Sequence, residues 1–100
     1  MPGRTIVLLA SLAVAAQAQP LRMVFVDTEG GQATLILTPR GESLLVDAGF
    51  PGNDGRDSNR IVAAAHRLGL TRIDYLLVTH YHLDHVGGVP ELAAKIPVEV

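Results

Sequence analysis

The 100-residue chain has no cysteine. Disulfides, thiolate metal ligands and lipid attachment through sulfur are excluded together, so any metal must be held by nitrogen and oxygen. Basic residues are few: eight Lys and Arg against ten Asp and Glu leave a formal net charge of −2. The sequence shows no Lys/Arg cluster on which a phosphate backbone could dock, and no nucleic-acid partner is expected. No apolar run reaches the roughly 20 residues that a membrane span requires. Repeats and low-complexity segments are lacking too.

The longest apolar stretch lies at the start, where Ile6 to Ala16 follows Arg4 and leads into Ala16-Gln17-Ala18. A positive start, a short apolar run and an A-x-A site have the layout of a secretory signal peptide. The expectation is a signal over residues 1–18, cleavage after Ala18, export to the periplasm or medium, and no stable membrane span afterwards. Loss of Arg4 would take the net charge from −2 to −3. The 48% hydrophobic content is inflated by this segment and does not mean a dense core. Residues 19–100 make a unit of about 80 residues, small for a core of its own. Ile96-Pro97-Val98-Glu99-Val100 reads as a strand beginning, so residues 19–100 are expected to be the N-terminal part of an incomplete domain.

Local patterns predict four strands. Leu21 to Val26 is continuously apolar apart from Arg22, as in a strand buried on both faces. Asp27 to Gln32 breaks it with two glycines, and Ala33 to Thr38 is a second strand ended by Pro39. Pro39 to Glu42 is a turn and Ser43 to Val46 the third strand; loops this short favour an antiparallel meander. After Asp47-Ala48-Gly49, the stretch Phe50 to Asp57 is a polar, glycine-rich loop and a candidate rim for a substrate pocket. Asp57 or Ser58 is placed to cap a helix from near Asn59, with Ile61, Ala64, Ala65 and Leu68 on its buried face. Gly69 then suits the left-handed position after the helix, with Leu70 as its apolar follower. His66 stands alone on this helix and reads as a surface or capping histidine. Tyr75 to Val78 is the fourth strand, and Pro90 suits the first turn of a helix to about Lys95. Strands alternating with helices in this order make a mixed α/β layer pattern.

The chemistry is concentrated in Thr79-His80-Tyr81-His82-Leu83-Asp84-His85, followed by Val86-Gly87-Gly88. A strand that delivers three imidazoles and a carboxylate to its own C-terminal end gives ligands rigid support below and open space above. The two-residue spacing of His80 and His82 turns both rings to one side. Tyr81 and Leu83 face the other way and are expected to pack. Four contiguous ligands on one ion would close the site, whereas a catalytic ion keeps a position open for water. Two ions suit the spacing better, His80 and His82 on one, Asp84 and His85 on the other, each pair needing ligands from elsewhere.

Thr79 to Gly88 resembles the His-x-His-x-Asp-His signature of the metallo-β-lactamase superfamily, and Val46-Asp47-Ala48-Gly49 resembles its Asp-x-Gly segment after the third strand. Phe25-Val26-Asp27, with Gly31 and Ala33-Thr34-Leu35-Ile36, is similar to the opening of the hydrolase domain associated with bacterial DNA-uptake channels. That domain's Val-Gly-Gln-Gly-Asp run is replaced here by Thr28-Glu29-Gly30-Gly31-Gln32. The resemblance implies an α/β fold: the N-terminal half of an αββα sandwich, with a mostly antiparallel mixed sheet and a dinuclear site at its edge. It implies two divalent metal ions, zinc foremost and iron or manganese as alternatives. His80 and His82 would hold the first, Asp84 and His85 the second. Asp84 would also be catalytic, orienting the attacking hydroxide or accepting its proton, and Asp47 would support the ligand loop from behind. The implied reaction is metal-activated hydroxide attack on an ester, amide, thioester or phosphoester bond of a small-molecule substrate. A third histidine for the first metal, a bridging carboxylate and a further histidine are expected from beyond these residues, so this segment alone is expected to be inactive. An iron-dependent redox enzyme on the same fold and a non-catalytic module retaining the metal loop remain the alternatives.

Overall fold

A computed structural model describes residues 19–99. The expected signal peptide, residues 1–18, lies outside the described residues. Four strands form one sheet in the order of the chain: β1 (Arg22–Phe25), β2 (Thr34–Leu37), β3 (Ser43–Val46) and β4 (Tyr75–Leu77). The first three are the antiparallel meander that their short loops predict. β4 instead pairs parallel to β3, with Leu45 opposite Leu76. A parallel pair needs a crossover connection, and here it is the helix α1 (Arg56–Arg67). The expected α/β class with a mostly antiparallel mixed sheet is what forms.

Period-two alternation decides which residues are covered. Leu35 and Leu45 point to the side of the sheet that carries the helices and are fully buried with Ile61, Ala64 and Ala65 of α1. Leu92 of α3 (Val89–Ala93) closes the same core beside Ile73 and Ile96. α1 ends in a Schellman motif: Gly69 at φ 80° lets its N–H reach the His66 carbonyl at 2.9 Å, and the Leu70 N–H reaches that of Ala65 at 2.9 Å.

Two expectations are corrected. β1 is not buried on both faces: it is an edge strand, and Met23 and Phe25 are 50% and 76% exposed. A continuous apolar run cannot by itself reveal whether anything covers its second face. α1 starts three residues before Asn59, and neither Asp57 nor Ser58 caps it; Gly55, at φ 74°, holds the cap position without a side-chain bond. Both side chains are buried in the first turn and spent on other contacts. Asp57 Oδ2 accepts the Phe50 N–H at 2.8 Å, while Ser58 Oγ donates to the Gly55 carbonyl at 3.1 Å and accepts from Lys95 Nζ at 2.6 Å. Among the described residues, the tail from Ile96 lies parallel to Ile73 through a bridge at Val98, as a strand beginning there would.

Candidate metal centre

β4 ends at Leu77, and the chain runs on without regular structure to His82, which is extended, before turning into the single-turn helix α2 (Leu83–Val86). This loop is pinned from below by backbone bonds. The Gln32 N–H donates to the Asp84 carbonyl at 3.0 Å, and the Ala48 N–H donates to that of His85 at 2.7 Å. The Gly88 N–H reaches the Gly49 carbonyl at 3.0 Å, and a Cβ at Gly88 would collide with the Ala48 carbonyl oxygen. Gly31 fits equally closely beneath Asp84, where a Cβ would lie 2.6 Å from the Asp84 carbonyl oxygen. Gly31 and Gly88 thus let α2 settle directly onto the loops that end β1 and β3.

The buried centre of the arrangement is Asp47. It has no solvent exposure and sits at φ 61°, a left-handed conformation that costs a non-glycine residue about 1–3 kcal/mol. Its Oδ1 accepts the Thr79 N–H at 2.8 Å, and its Oδ2 accepts the Thr79 hydroxyl at 2.7 Å. The same Oδ2 lies 2.7 Å from His85 Nδ1. Burial pushes the Asp47 carboxyl up, but hydrogen bonds from His85 and Thr79 outweigh it and hold the group below the ordinary carboxylate range.

Above Asp47 the four candidate ligands gather. The His80 and His82 rings meet edge-on with centroids 4.6 Å apart, and the His80 and His85 centroids are 3.8 Å apart. His85 Nε2 lies 3.6 Å from Asp84 Oδ2. Among the described residues, no group of three or more His, Asp and Glu side chains is arranged to hold a metal ion. Their chemistry suits one nevertheless. Nitrogen and carboxylate oxygen are borderline-hard donors, and His85 is backed on Nδ1 by a buried carboxylate, the contact that orients metal-binding imidazoles. Tyr81 and Leu83 do not pack as expected; they are 87% and 62% exposed. The alternation that turns the histidines to one side sends Tyr81 to the other, where no described element lies. His66 is exposed in the last turn of α1, away from the cluster. A cleft among the described residues is lined by Arg40, Glu42, Arg72, Asp74 and Glu99, at the opposite end of β3 and β4 from the histidines.

Thr79 is a functional residue that no motif in the sequence marks. Its only signal was a hydroxyl between an apolar strand and the first histidine; its link to Asp47 spans 32 positions.

The model of the metallo-β-lactamase superfamily matches residues 26–100, three quarters of the chain. The chain belongs to the metallo-β-lactamase superfamily. One sheet with helices on one face is what the N-terminal part of that superfamily's sandwich requires. Among curated proteins, the chain is similar to an atrochrysone carboxyl ACP thioesterase of Aspergillus fumigatus, 40% identical over 67% of this chain and 20% of the relative. It is similar to a hydroxyacylglutathione hydrolase of Stenotrophomonas maltophilia, 38% identical over 63% of this chain and 21% of the relative. A metal-dependent hydrolase of Staphylococcus epidermidis is 35% identical over 65% of this chain and 25% of its own length. The matched stretch spans between a fifth and a quarter of these superfamily relatives. No solved structure matches significantly.

Proposed function

We propose that the protein is a metal-dependent hydrolase acting on an ester, amide, thioester or phosphoester bond of a small-molecule substrate. The observation that carries this reading is the gathering of His80, His82, Asp84 and His85 at the C-terminal end of β4, with Asp47 behind His85. Superfamily membership and relatives named as hydrolases support it. One relative is named a thioesterase, which puts thioesters first among substrates to try.

His80 and His82 would hold one divalent ion, and Asp84 and His85 the other, with zinc the metal proposed. Such a pair, when bound, lowers the pKa of water and polarises the oxygen of the scissile bond. Asp47 orients His85 by accepting its Nδ1–H, leaving Nε2 free to face the ligand side. The Asp84 carboxylate, half-open to solvent beside His85 Nε2, orients the attacking water or takes up its proton. The exposed Tyr81 and Leu83 frame the same loop.

The test uses the full-length protein: metal content by elemental analysis, then turnover of thioester, ester and phosphodiester probes. Two zinc ions per chain and loss of activity in His82→Ala are expected. No bound metal, or activity unchanged by His82→Ala, would end this reading, and iron with oxygen consumption would replace it by a redox one. Export is part of the proposal, on the pattern of Arg4, Ile6–Ala16 and Ala16-Gln17-Ala18. N-terminal sequencing of the exported protein should begin at Gln19.

A further inference from the structure

The Thr79 hydroxyl has one proton and three polar neighbours: Asp47 Oδ2 at 2.7 Å, His80 Nδ1 at 3.0 Å and His85 Nδ1 at 3.4 Å. An ionised carboxylate only accepts, so the two groups at 2.7 Å from Asp47 Oδ2 must both donate to it. His85 therefore carries its proton on Nδ1, and the Thr79 hydroxyl proton is committed to Asp47. Only lone pairs of Thr79 Oγ are left to face His80. The contact at 3.0 Å is then a hydrogen bond only if His80 also carries its proton on Nδ1. The reverse assignment, with Thr79 donating to His80, would leave two bare oxygens 2.7 Å apart, a repulsive contact beside a buried charge.

On the metal-holding reading given above, we propose that Thr79 is a positioning residue that relays the buried Asp47 carboxylate to His80. One carboxylate thereby fixes two imidazoles with Nδ1–H inward and Nε2 bare outward. His85 is held directly and His80 through the threonine hydroxyl. The two rings belong to different candidate metal pairs, so the relay ties both halves of the centre to a single residue at the end of β3. The Thr79 N–H to Asp47 Oδ1 bond fixes the relay's geometry, since it holds backbone and hydroxyl on the two oxygens of one carboxylate. A hydroxyl is required at this position, and a methyl in its place leaves His80 without a partner on Nδ1.

The decisive measurement is the ring-nitrogen NMR spectrum of the metal-free full-length protein, with its thermal unfolding as a control. In the wild type, His80 and His85 should both show the Nδ1–H tautomer. In Thr79→Val, which keeps shape but loses the hydroxyl, His80 should move to a mixed tautomer while His85 stays fixed. Thr79→Ser should restore the wild-type spectrum. Metal affinity should follow, falling about 10–100-fold in Thr79→Val and recovering in Thr79→Ser. A His80 ring that is mixed in the wild type, or unmoved in Thr79→Val, overturns the relay even if metals bind. The wild-type spectrum alone can overturn it, should Thr79→Val fail to fold. A wild-type protein that binds no metal overturns the metal reading, and the tautomer result still decides whether Thr79 sets His80.

Discussion

At the scale of single residues, the site depends on an aspartate in a costly conformation. Asp47 accepts left-handed backbone because short polar side chains tolerate it, and it recovers the cost through three hydrogen bonds made in full burial. Asp47→Ala removes all three acceptor contacts, strands the Thr79 N–H and keeps the strain. It should destabilise the protein by about 1–3 kcal/mol in chemical denaturation, the cost of leaving a buried donor unpaired. Asp47→Asn is the finer probe: Oδ1 can still serve the Thr79 N–H, but an amide nitrogen cannot accept from His85. It should therefore fold with a smaller loss of stability, while metal affinity measured by competitive chelation drops about 10–100-fold. Equal affinity in Asp47→Asn and wild type would remove Asp47 from the support of the metal loop. Asp47 was visible in the sequence as a turn aspartate beside a glycine. Its partners were not, because they lie 32 and 38 positions away and only strand pairing brings them near.

At the scale of elements, the parallel pairing of β3 and β4 is fastened at its far end. Asp74 accepts from the Ser43 N–H at 2.9 Å and from Arg72 Nε at 2.8 Å, and the Ser43 hydroxyl lies 3.1 Å from it. The Ser43 backbone bond and the Arg72 guanidinium hold the Asp74 carboxyl below its ordinary value of about 3.9. A depressed folded pKa stabilises fully above the unfolded value, and the contribution is lost as pH falls through the folded one. Acidification below about pH 4 should thus lower the urea midpoint of the wild type more steeply than that of Asp74→Asn. Parallel pH profiles would show that this pair contributes nothing. A second element-scale contact is α2 against the end of β3. Gly88→Ala drives a methyl into the Ala48 carbonyl and should cost about 1–3 kcal/mol, with the histidine loop displaced and metal affinity reduced. The helix start shows why local signals misled. Asp57 and Ser58 are good caps by residue type, yet the Phe50 N–H claimed the first side chain and the distant Lys95 the second, and a glycine with positive φ took the cap instead.

At the scale of the whole molecule, the sheet has two unlike faces. One is closed by α1 and α3; the other carries Met23, Ile36, Leu44 and Tyr75 in one row and Phe25, Thr34, Val46 and Leu77 in the next. Phe25, Tyr75 and Leu77 on it are more than half exposed. A face with such large apolar side chains open gains by being covered, so the 100-residue chain should self-associate in a concentration-dependent way. Phe25→Lys with Leu77→Lys should weaken that association more than about tenfold in sedimentation velocity. An unchanged sedimentation profile would show that another surface is responsible. No helix among the described residues is long and apolar enough to cross a membrane.

The strands, the meander, the Schellman end of α1 and the four candidate ligands were legible from order and spacing, because each depends on neighbours within a few positions. The family was legible for the same reason: His80-x-His82-x-Asp84-His85 is a local signature, and the loop carrying it follows a short apolar strand. What only the tertiary structure decided is everything that needs two distant segments to meet. It made β1 an edge, spent Asp57 and Ser58 on neighbours, and left Tyr81 and Leu83 in solvent. It also placed Thr79 between one buried carboxylate and two imidazoles. Hydrogen-bond partners across a sheet are set by pairing register and crossover path, which no local pattern of residues encodes.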